Sequence, residues 1–460
     1  MASTISAAAR NDLRAFVKDF VRAHTLAENL AEVEALAVEI ESIVGQAVLE
    51  AGLERVTWKA SYQGSRYDCE CGRKARFVGY RSRWIKSSVG ETKVKRAYYH
   101  CEHCKQGYLP WDAAQGLNER VWTPGLKATV CRVAARVSYS ETVDLLSELG
   151  VADIEESSAE AIVLEVGKRL RADDQDALER TKTHLRQELA DKLLVDLPEE
   201  RQPEKVAPTP NRVVEGKRLY MACDAAKAHI DGSWHNVNCG MVFTVQADKE
   251  GKDHLRDRHY VAMQANMETF GWELRRLAEE WSVSGYAEQV FLGDGAPCNW
   301  NLARTHFPAA RQILDFYHAS EHLGELAHVL YDQNDPVQKE RGDRWLSDRL
   351  SSLKHKGPRP LLRALKLRSG KGTVQQAEAV RQMLGYVAAN AFRMNYHDYI
   401  DAGLMIGSGP IEAACKVIVG QRLKLSGMRW SEPGADAVLG TRTTILNKQF
   451  DKLAKCARAA

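Results

Sequence analysis

The chain has 460 residues, and at roughly 150 residues per domain its length suggests about three domains. Hydrophobic residues at 44% and charged residues at 27% exclude a disordered or fibrous chain, and no apolar run reaches the roughly 18 residues of a membrane span. The net charge of +3 argues, as a whole-chain figure, against an obvious nucleic-acid binder.

Arg10, Asp12 and Arg14 interrupt the N-terminal apolar residues, so no signal peptide is expected and the expected setting is a reducing cytoplasm. Residues 1–60 read as two helices, with apolar positions at helical spacing in Leu13, Phe16, Val17 and Phe20 and again in Val33, Leu36, Ile40 and Ile43. A packing or dimerisation hairpin explains such faces, and nine acids against six bases make DNA contact by this segment unexpected.

From 61 to 112 the pattern changes to short strands between two cysteine pairs, Cys69-x-Cys71 and Cys101-x2-Cys104. Four thiolates in two close pairs suit the tetrahedral shell of a structural zinc ion, and a strand–turn–strand between them is a zinc-ribbon arrangement. His100 and His103 remain alternative ligands. Residues 66–107 carry eleven lysines and arginines against four acids, interleaved with Tyr80, Trp84, Tyr98 and Tyr99. Arg81, Arg83, Lys93, Lys95 and Arg96 are thus candidate phosphate contacts, with rings available to cover sugars or bases.

Residues 113–205 read as a helical domain and linker. Thr123 and Pro124 open a helical stretch, and segments 126–137, 140–149 and 157–171 resemble a helix-turn-helix, although Glu160 and Glu165 on the third would repel phosphate. The polar 197–216 stretch, with Pro203, Pro208 and Pro210, reads as a linker.

An α/β pattern begins near 217: strands in KRLYMACD, WHNVNCGMVFTVQ and RHYVAMQ, a helix over 266–284, the strand AEQVFLGD, a helix near 299–306 and the strand ARQILDF. Three strands in hairpin succession followed by alternating helices and strands predict a mixed five-stranded sheet with helices on its faces. Residues 319–400 read as wholly helical, and another helix follows Gly407-Ser408-Gly409-Pro410.

Asp224 and Asp294 close apolar strands and Glu412 sits in the first turn of that last helix. Carboxylates from two strand ends and a helix can hold two divalent metals for in-line attack on a phosphodiester; singly, each also fits a turn or helix-cap role. His318-Ala-Ser-Glu321-His322 matches H-x-x-E-H, the inverted zinc-peptidase motif. Residues 335–373 again carry eleven bases against four acids, and 416–430 holds Lys416, Arg422, Lys424 and Arg429 with no acid, beside Trp430. Basic runs flanking a metal site fit a polyanionic substrate.

KRAYYHCEHC, TPGL, VSYSETVDLLSELGV, FLGDGAPCNWNLARTHFP, QILDFYHASEHLGELA and GSGPIEAACKVIVGQRLKLSGMRW together resemble the ISKra-type insertion-sequence transposases over about residues 69–447. The resemblance implies a DDE enzyme related to Mutator-like elements, with an RNase H-like catalytic core over 206–334 and 401–460 and an all-helical insertion over 335–400. Asp224, Asp294 and Glu412 would bind Mg2+ or Mn2+, and Asp315-x2-His318 matches the signature between the second Asp and the Glu. Asp224 is followed by Ala225-Ala226-Lys227, where the family commonly reads Asp-Gly. Arg422, Lys424, Arg429 and Trp430 would contact DNA. Implied partners are element ends, target DNA and further copies of the chain, with no membrane and no small-molecule cofactor, in a nucleoid-associated protein. A zinc-ribbon DNA-binding protein without catalysis and the H-x-x-E-H metallopeptidase are the competing functions.

Overall fold

The computed structural model describes residues 6–24, 27–57, 61–117, 121–194, 214–247, 250 and 253–458. Most of the linker expected over 197–216, with its three prolines, lies outside them. The protein is mixed α/β and separates into two compact units, one built from the chain up to Leu126 with Leu146–Asp153, the other from Lys127–Leu145 and Ile154–Ala457. No helix among the described residues is long and apolar enough to cross a membrane.

The first unit opens with helices α1 (Ala7–His24) and α2 (Leu30–Thr57). A four-stranded antiparallel sheet follows in sequential order: β1 (Arg66–Asp68), β2 (Lys74–Ser87), β3 (Gly90–His100) and β4 (Gly107–Tyr108). The β2–β3 hairpin turns through Gly90 at φ 114°, a conformation that favours glycine. Behind it the short helix α3 (Pro110–Ala114) packs Trp111 with Ile85, Val94 and Leu117.

Helices α4 (Pro124–Ala134), α5 (Tyr139–Glu148) and α6 (Glu156–Leu194) come next. The third helix was expected to end near 171 and instead runs for 39 residues, since nothing in its sequence interrupts it. Its apolar face is buried at Ile162, Val163, Val166 and Leu170, and Gly167 lies so close to helix α16 (Glu432–Leu446) that a β-carbon there would stand 2.6 Å from Ala437.

The second unit is organised on a five-stranded sheet: β5 (Val214–Ile230), β6 (Ser233–Ala247), β7 (Asp253–Met263), β8 (Tyr286–Gly293) and β9 (Arg311–Leu314), in the order β7-β6-β5-β8-β9. The first three pair antiparallel, while β5–β8 and β8–β9 are parallel. Leu219–Cys223 of β5 and Val290–Leu292 of β8 are buried without alternation, as strands covered on both faces must be. Helix α7 (Met267–Glu280) starts where the Asn266 side chain accepts the Thr269 amide at 2.8 Å, and it sets Phe270 and Leu274 against β6 at Gly240.

Helix α8 (Pro297–His306) connects β8 to β9. A helical run follows: α9 (Phe316–Leu330), α10 (Pro336–Lys356), α11 (Pro358–Arg368), α12 (Val374–Asn390) and α13 (Tyr396–Asp401). Helix α14 (Gly409–Cys415) continues through a π-helical turn, Lys416–Gly420, into α15 (Gln421–Leu423); after α16 the described chain finishes with α17 (Phe450–Arg458).

Candidate functional sites: a cysteine cluster and a carboxylate cleft

In the first unit, Cys69-x-Cys71 and Cys101-x2-Cys104 lie on two tight turns. The Cys69 amide donates to Arg73 O and the Cys101 amide to Gln106 O, both at 2.9 Å, and Gly72 and Lys105 take left-handed conformations that bend the chain back. The four sulfurs converge: Cys69 to Cys71 3.3 Å, Cys69 to Cys104 3.4 Å, Cys71 to Cys101 3.7 Å, none in a disulfide. A tetrahedral zinc site with bonds near 2.3 Å has sulfur–sulfur edges of about 3.8 Å. The cluster can therefore hold a structural metal such as zinc, and neither His100 nor His103 belongs to it.

The Tyr108 hydroxyl, 3.0 Å from Cys69 Sγ, is the largest influence holding that thiol down at about 6. The Cys104 backbone amide chiefly lowers Cys101. Cys71 and Cys104 shift the other way, Cys104 to about 12, because each shares a hydrogen bond with the Cys69 thiol, so without a metal the four divide into two that lean to the thiolate and two that keep their protons. Tyr108 was not singled out in the sequence, because its distance of four residues from Cys104 carries no metal-site signal.

The hairpin divides its bases between two faces. Lys93 and Lys95 are exposed, on the face that carries Trp84 and Tyr80, with Lys95 Nζ 5.9 Å from the Tyr80 ring centre. Arg81 is exposed and lies 3.4 Å over the Tyr98 ring. Arg96 and Arg83, by contrast, turn inward. Arg96 is 3% exposed and donates Nε and Nη2 to the buried Asp112 carboxylate at 2.7 and 2.9 Å, and Arg83 reaches the same carboxylate at 3.2 Å. The expectation that Arg96 contacts phosphate is corrected: its charge neutralises Asp112 inside the unit.

In the second unit, the parallel ladder between β5 and β8 ends at Ala222 opposite Leu292, so Asp224, within β5, and Asp294, the residue after β8, lie just beyond it. Asp224 is not a strand end, as expected from KRLYMACD, because β5 runs on to Ile230 by pairing with β6; Asp224 itself faces Cys239 there. Burial pushes the Asp224 carboxyl above the ordinary aspartate range. The Asp294 charge adds to the shift, while the Ala225 amide, the Cys415 thiol and His318 partly offset it.

Asp294 accepts the Ala296 amide at 3.0 Å and the buried Asn299 amide group at 2.8 Å. Asn299 also accepts the Cys223 thiol at 3.4 Å, and Cys415 donates to Asp224 at 3.8 Å, so thiols and an amide floor the carboxylates. None of these three was singled out in the sequence; Asn299, five residues after Asp294 in the following helix, carried the one local signal.

Asp315, also buried, joins the start of α9 to the Glu412 segment. Its backbone amide donates to Gly293 O at 2.8 Å, its carboxylate caps α9 through the Tyr317 amide, and it accepts the Ser408 hydroxyl at 2.5 Å. Ser408 Oγ is in turn 3.5 Å from Glu412 Oε1, and the Phe316 amide donates to Ile406 O. A β-carbon on Gly407 would stand 2.8 Å from the Tyr317 ring, so this close approach requires glycine. Glu412 is exposed in the first turn of α14.

His318 and His322 stack edge to face at 4.7 Å on α9, and His322 does so with Tyr386 of α12 at 4.9 Å. The buried Tyr386 hydroxyl has no hydrogen-bond partner among the described residues, and burial with the charges of Asp294 and Asp315 raises its pKa. Among the described residues the four cysteines form the one group of three or more ligating side chains within 4.8 Å of one another. Asp224, Asp294 and Glu412 are not so gathered, nor do the two histidines of H-x-x-E-H have a third ligand at that distance.

Arg422 and Trp430 do not face solvent. Arg422 is fully buried between the Tyr139 and Trp430 rings, 5.0 and 4.8 Å from their centres, and donates to Ala134 O at 2.7 Å. Trp430 donates its indole N–H to Leu423 O at 3.1 Å. Their expected DNA contacts are corrected to core roles, whereas Lys424 and Arg429 are exposed. On α6, Arg169 and Arg171 bond Cys456 O and Ala262 O, and Glu165 pairs with buried Lys127, so these residues serve packing rather than groove contact.

No family model matches the chain, and no curated protein matches it.

Proposed function

We propose that the chain is a DDE transposase of the ISKra type, which binds the ends of an insertion sequence and cleaves and joins DNA. The observation that carries the reading is the placement of Asp224 on β5 and of Asp294 directly after β8, both just beyond the end of the parallel ladder between those strands. Open α/β sheets bind ligands at such carboxyl-terminal edges. The strand order β7-β6-β5-β8-β9 fits an RNase H-like core, and α10–α13 fit the helical insertion before the last acid.

The all-oxygen donor set of Asp224, Asp294 and Glu412 suits magnesium or manganese. Bound there, divalent cations would activate a hydroxyl nucleophile and stabilise the leaving oxygen. The chain's own residues prepare this: Asn299 orients the Asp294 carboxylate, and Ser408 ties the start of the Glu412 helix to Asp315. His318, whose charge reaches Asp224, would contact the substrate. The cysteine module, holding zinc, would present Arg81, Lys93 and Lys95 to the element end.

The test is incubation of the purified protein with labelled element ends and magnesium, mapping cuts on both strands. Asp294→Asn or Glu412→Gln is expected to abolish cleavage while end binding persists; cleavage by either variant would overturn the triad.

A further inference from the structure

Asp294 lies in a turn enclosed by two aromatic side chains. A β-carbon on Gly293 would stand 3.0 Å from the Trp300 ring, and one on Gly295 would stand 2.9 Å from the Tyr386 hydroxyl oxygen. Gly295 also has φ 103°, so both the bend of the chain and the approach of Tyr386 require glycine there. Tyr386 belongs to α12, and its hydroxyl therefore reaches the Asp294 turn from outside the sheet.

The end of α12 is fixed against the sheet. Arg393, just beyond the helix and 4% exposed, donates Nε to Gln312 Oε1 of β9 at 2.8 Å and lies 4.2 Å over the Trp300 ring. Asn390 donates its side-chain amide to the Tyr386 carbonyl at 3.0 Å, and the Tyr386 ring meets His322 edge on at 4.9 Å.

Held in this way, the hydroxyl is buried and has no hydrogen-bond partner among the described residues. A tyrosine hydroxyl keeps its proton at neutral pH, so this is a donor without an acceptor, and burying one unpaired destabilises the fold. The charges of two carboxylates reach it, those of Asp294 and Asp315. Asp315 accepts on both oxygens, Oδ1 from the Tyr317 amide and Oδ2 from Ser408. Asp294 accepts the Ala296 amide and the Asn299 side chain on the same oxygen, Oδ1. Among the described residues, Asp294 Oδ2 is thus the carboxylate oxygen open to a further donor.

We propose that Tyr386 is a positioning residue for Asp294: when the carboxylate cleft takes up a divalent cation, the Tyr386 hydroxyl donates to Asp294 Oδ2 and fixes the carboxylate as a ligand. Metal-binding carboxylates are themselves hydrogen-bonded, and those outer partners set the orientation of the ligand. Asn299 does this at Oδ1 and Tyr386 at Oδ2, which makes α12 part of the cation site. The inference rests on the carboxylate site proposed above and adds to it a residue from a different part of the chain.

The test is Mn2+ binding by the zinc-saturated, DNA-free full chain at neutral pH, read from the paramagnetic resonance signal of free Mn2+. The parent should bind Mn2+, and Asp294→Asn should lose that binding. Tyr386→Phe, which removes the hydroxyl alone, should weaken it by about 10–100-fold. Its melting temperature without Mn2+ should equal or exceed the parent's, because an unpaired buried donor has gone. Equal Mn2+ affinity in Tyr386→Phe and the parent, with Asp294→Asn impaired, overturns the role of Tyr386 and leaves the carboxylate site standing. A lower metal-free melting temperature for Tyr386→Phe also overturns it, since the hydroxyl would then already be paired within the fold. A parent chain without Mn2+ binding that depends on Asp294 overturns both the carboxylate site and this inference.

Discussion

Ser408→Ala isolates the link between the sheet and the Glu412 helix. The Ser408 hydroxyl donates at 2.5 Å to Asp315, whose carboxylate is buried and otherwise capped by the Tyr317 amide. A hydrogen bond to a charged acceptor contributes about 1.5–3 kcal/mol, and Ser408 at 4% exposure leaves little room for water to replace it. Domains of 150–250 residues lose roughly 2–4 °C per kcal/mol, and the larger second unit loses less, so the melting temperature should fall by roughly 2–6 °C. Calorimetry of the full chain measures this. Under the proposed function the same variant lets the Glu412 helix shift, and a displacement of about 1 Å at a reacting centre costs on the order of 100-fold in rate. Single-turnover cleavage should therefore slow by roughly 10–100-fold with end binding unchanged. A melting temperature within 1 °C of the parent, with an unaltered cleavage rate, would refute the inference that Asp315 and Ser408 position Glu412.

Asp224→Asn should raise the melting temperature at neutral pH while abolishing cleavage. Because burial holds the folded-state carboxyl above its unfolded value, folding favours the protonated form: stability is greatest below the ordinary aspartate value of about 3.9 and is lost as pH rises through the folded value. The advantage of the variant should thus vanish near pH 4; a neutral-pH melting temperature at or below the parent's would contradict the assigned cause. Arg96→Met, which leaves Asp112 with Arg83 alone, should destabilise the first unit by about 3–5 kcal/mol in denaturant unfolding, whereas Lys93→Ala should change stability by under about 0.5 kcal/mol. If the exposed hairpin face binds DNA, Lys93→Ala and Lys95→Ala should each reduce the slope of log affinity against log salt by about one; equal slopes for variant and parent would count against that face. Cys101→Ser or a strong zinc chelator should release one zinc per chain and lower hydrogen-exchange protection across residues 66–107; retained protection would argue against a structural metal.

Local pattern reached as far as elements and ligands on one short stretch of chain. The cysteine spacing sufficed because each pair sits in a single turn and the intervening hairpin registers the two turns against each other. The five-strand succession was legible because buried parallel strands are apolar on both faces and their helices are periodic. Helix α6 outruns its expected end near 171 because no local breaker marks where it stops.

Burial was not legible, since an arginine reads the same whether it meets water or Asp112. Arg96 and Arg422 belong to basic runs that suggest a surface, and only tertiary packing puts a carboxylate sixteen residues on around the first, and the rings of distant Tyr139 and nearby Trp430 around the second. Likewise Asp224, Asp294 and Glu412 were each visible as single acids beside turns or helix starts. Their setting came from long-range contacts: the end of the β5–β8 ladder, the thiol of Cys415 and the Ser408–Asp315 bond across 93 residues of chain. The sequence by itself determined which segments could bury an apolar face and which cysteines could share a metal. The tertiary structure decided which charges are solvated, because desolvation depends on what packs around a side chain and not on its neighbours in the chain.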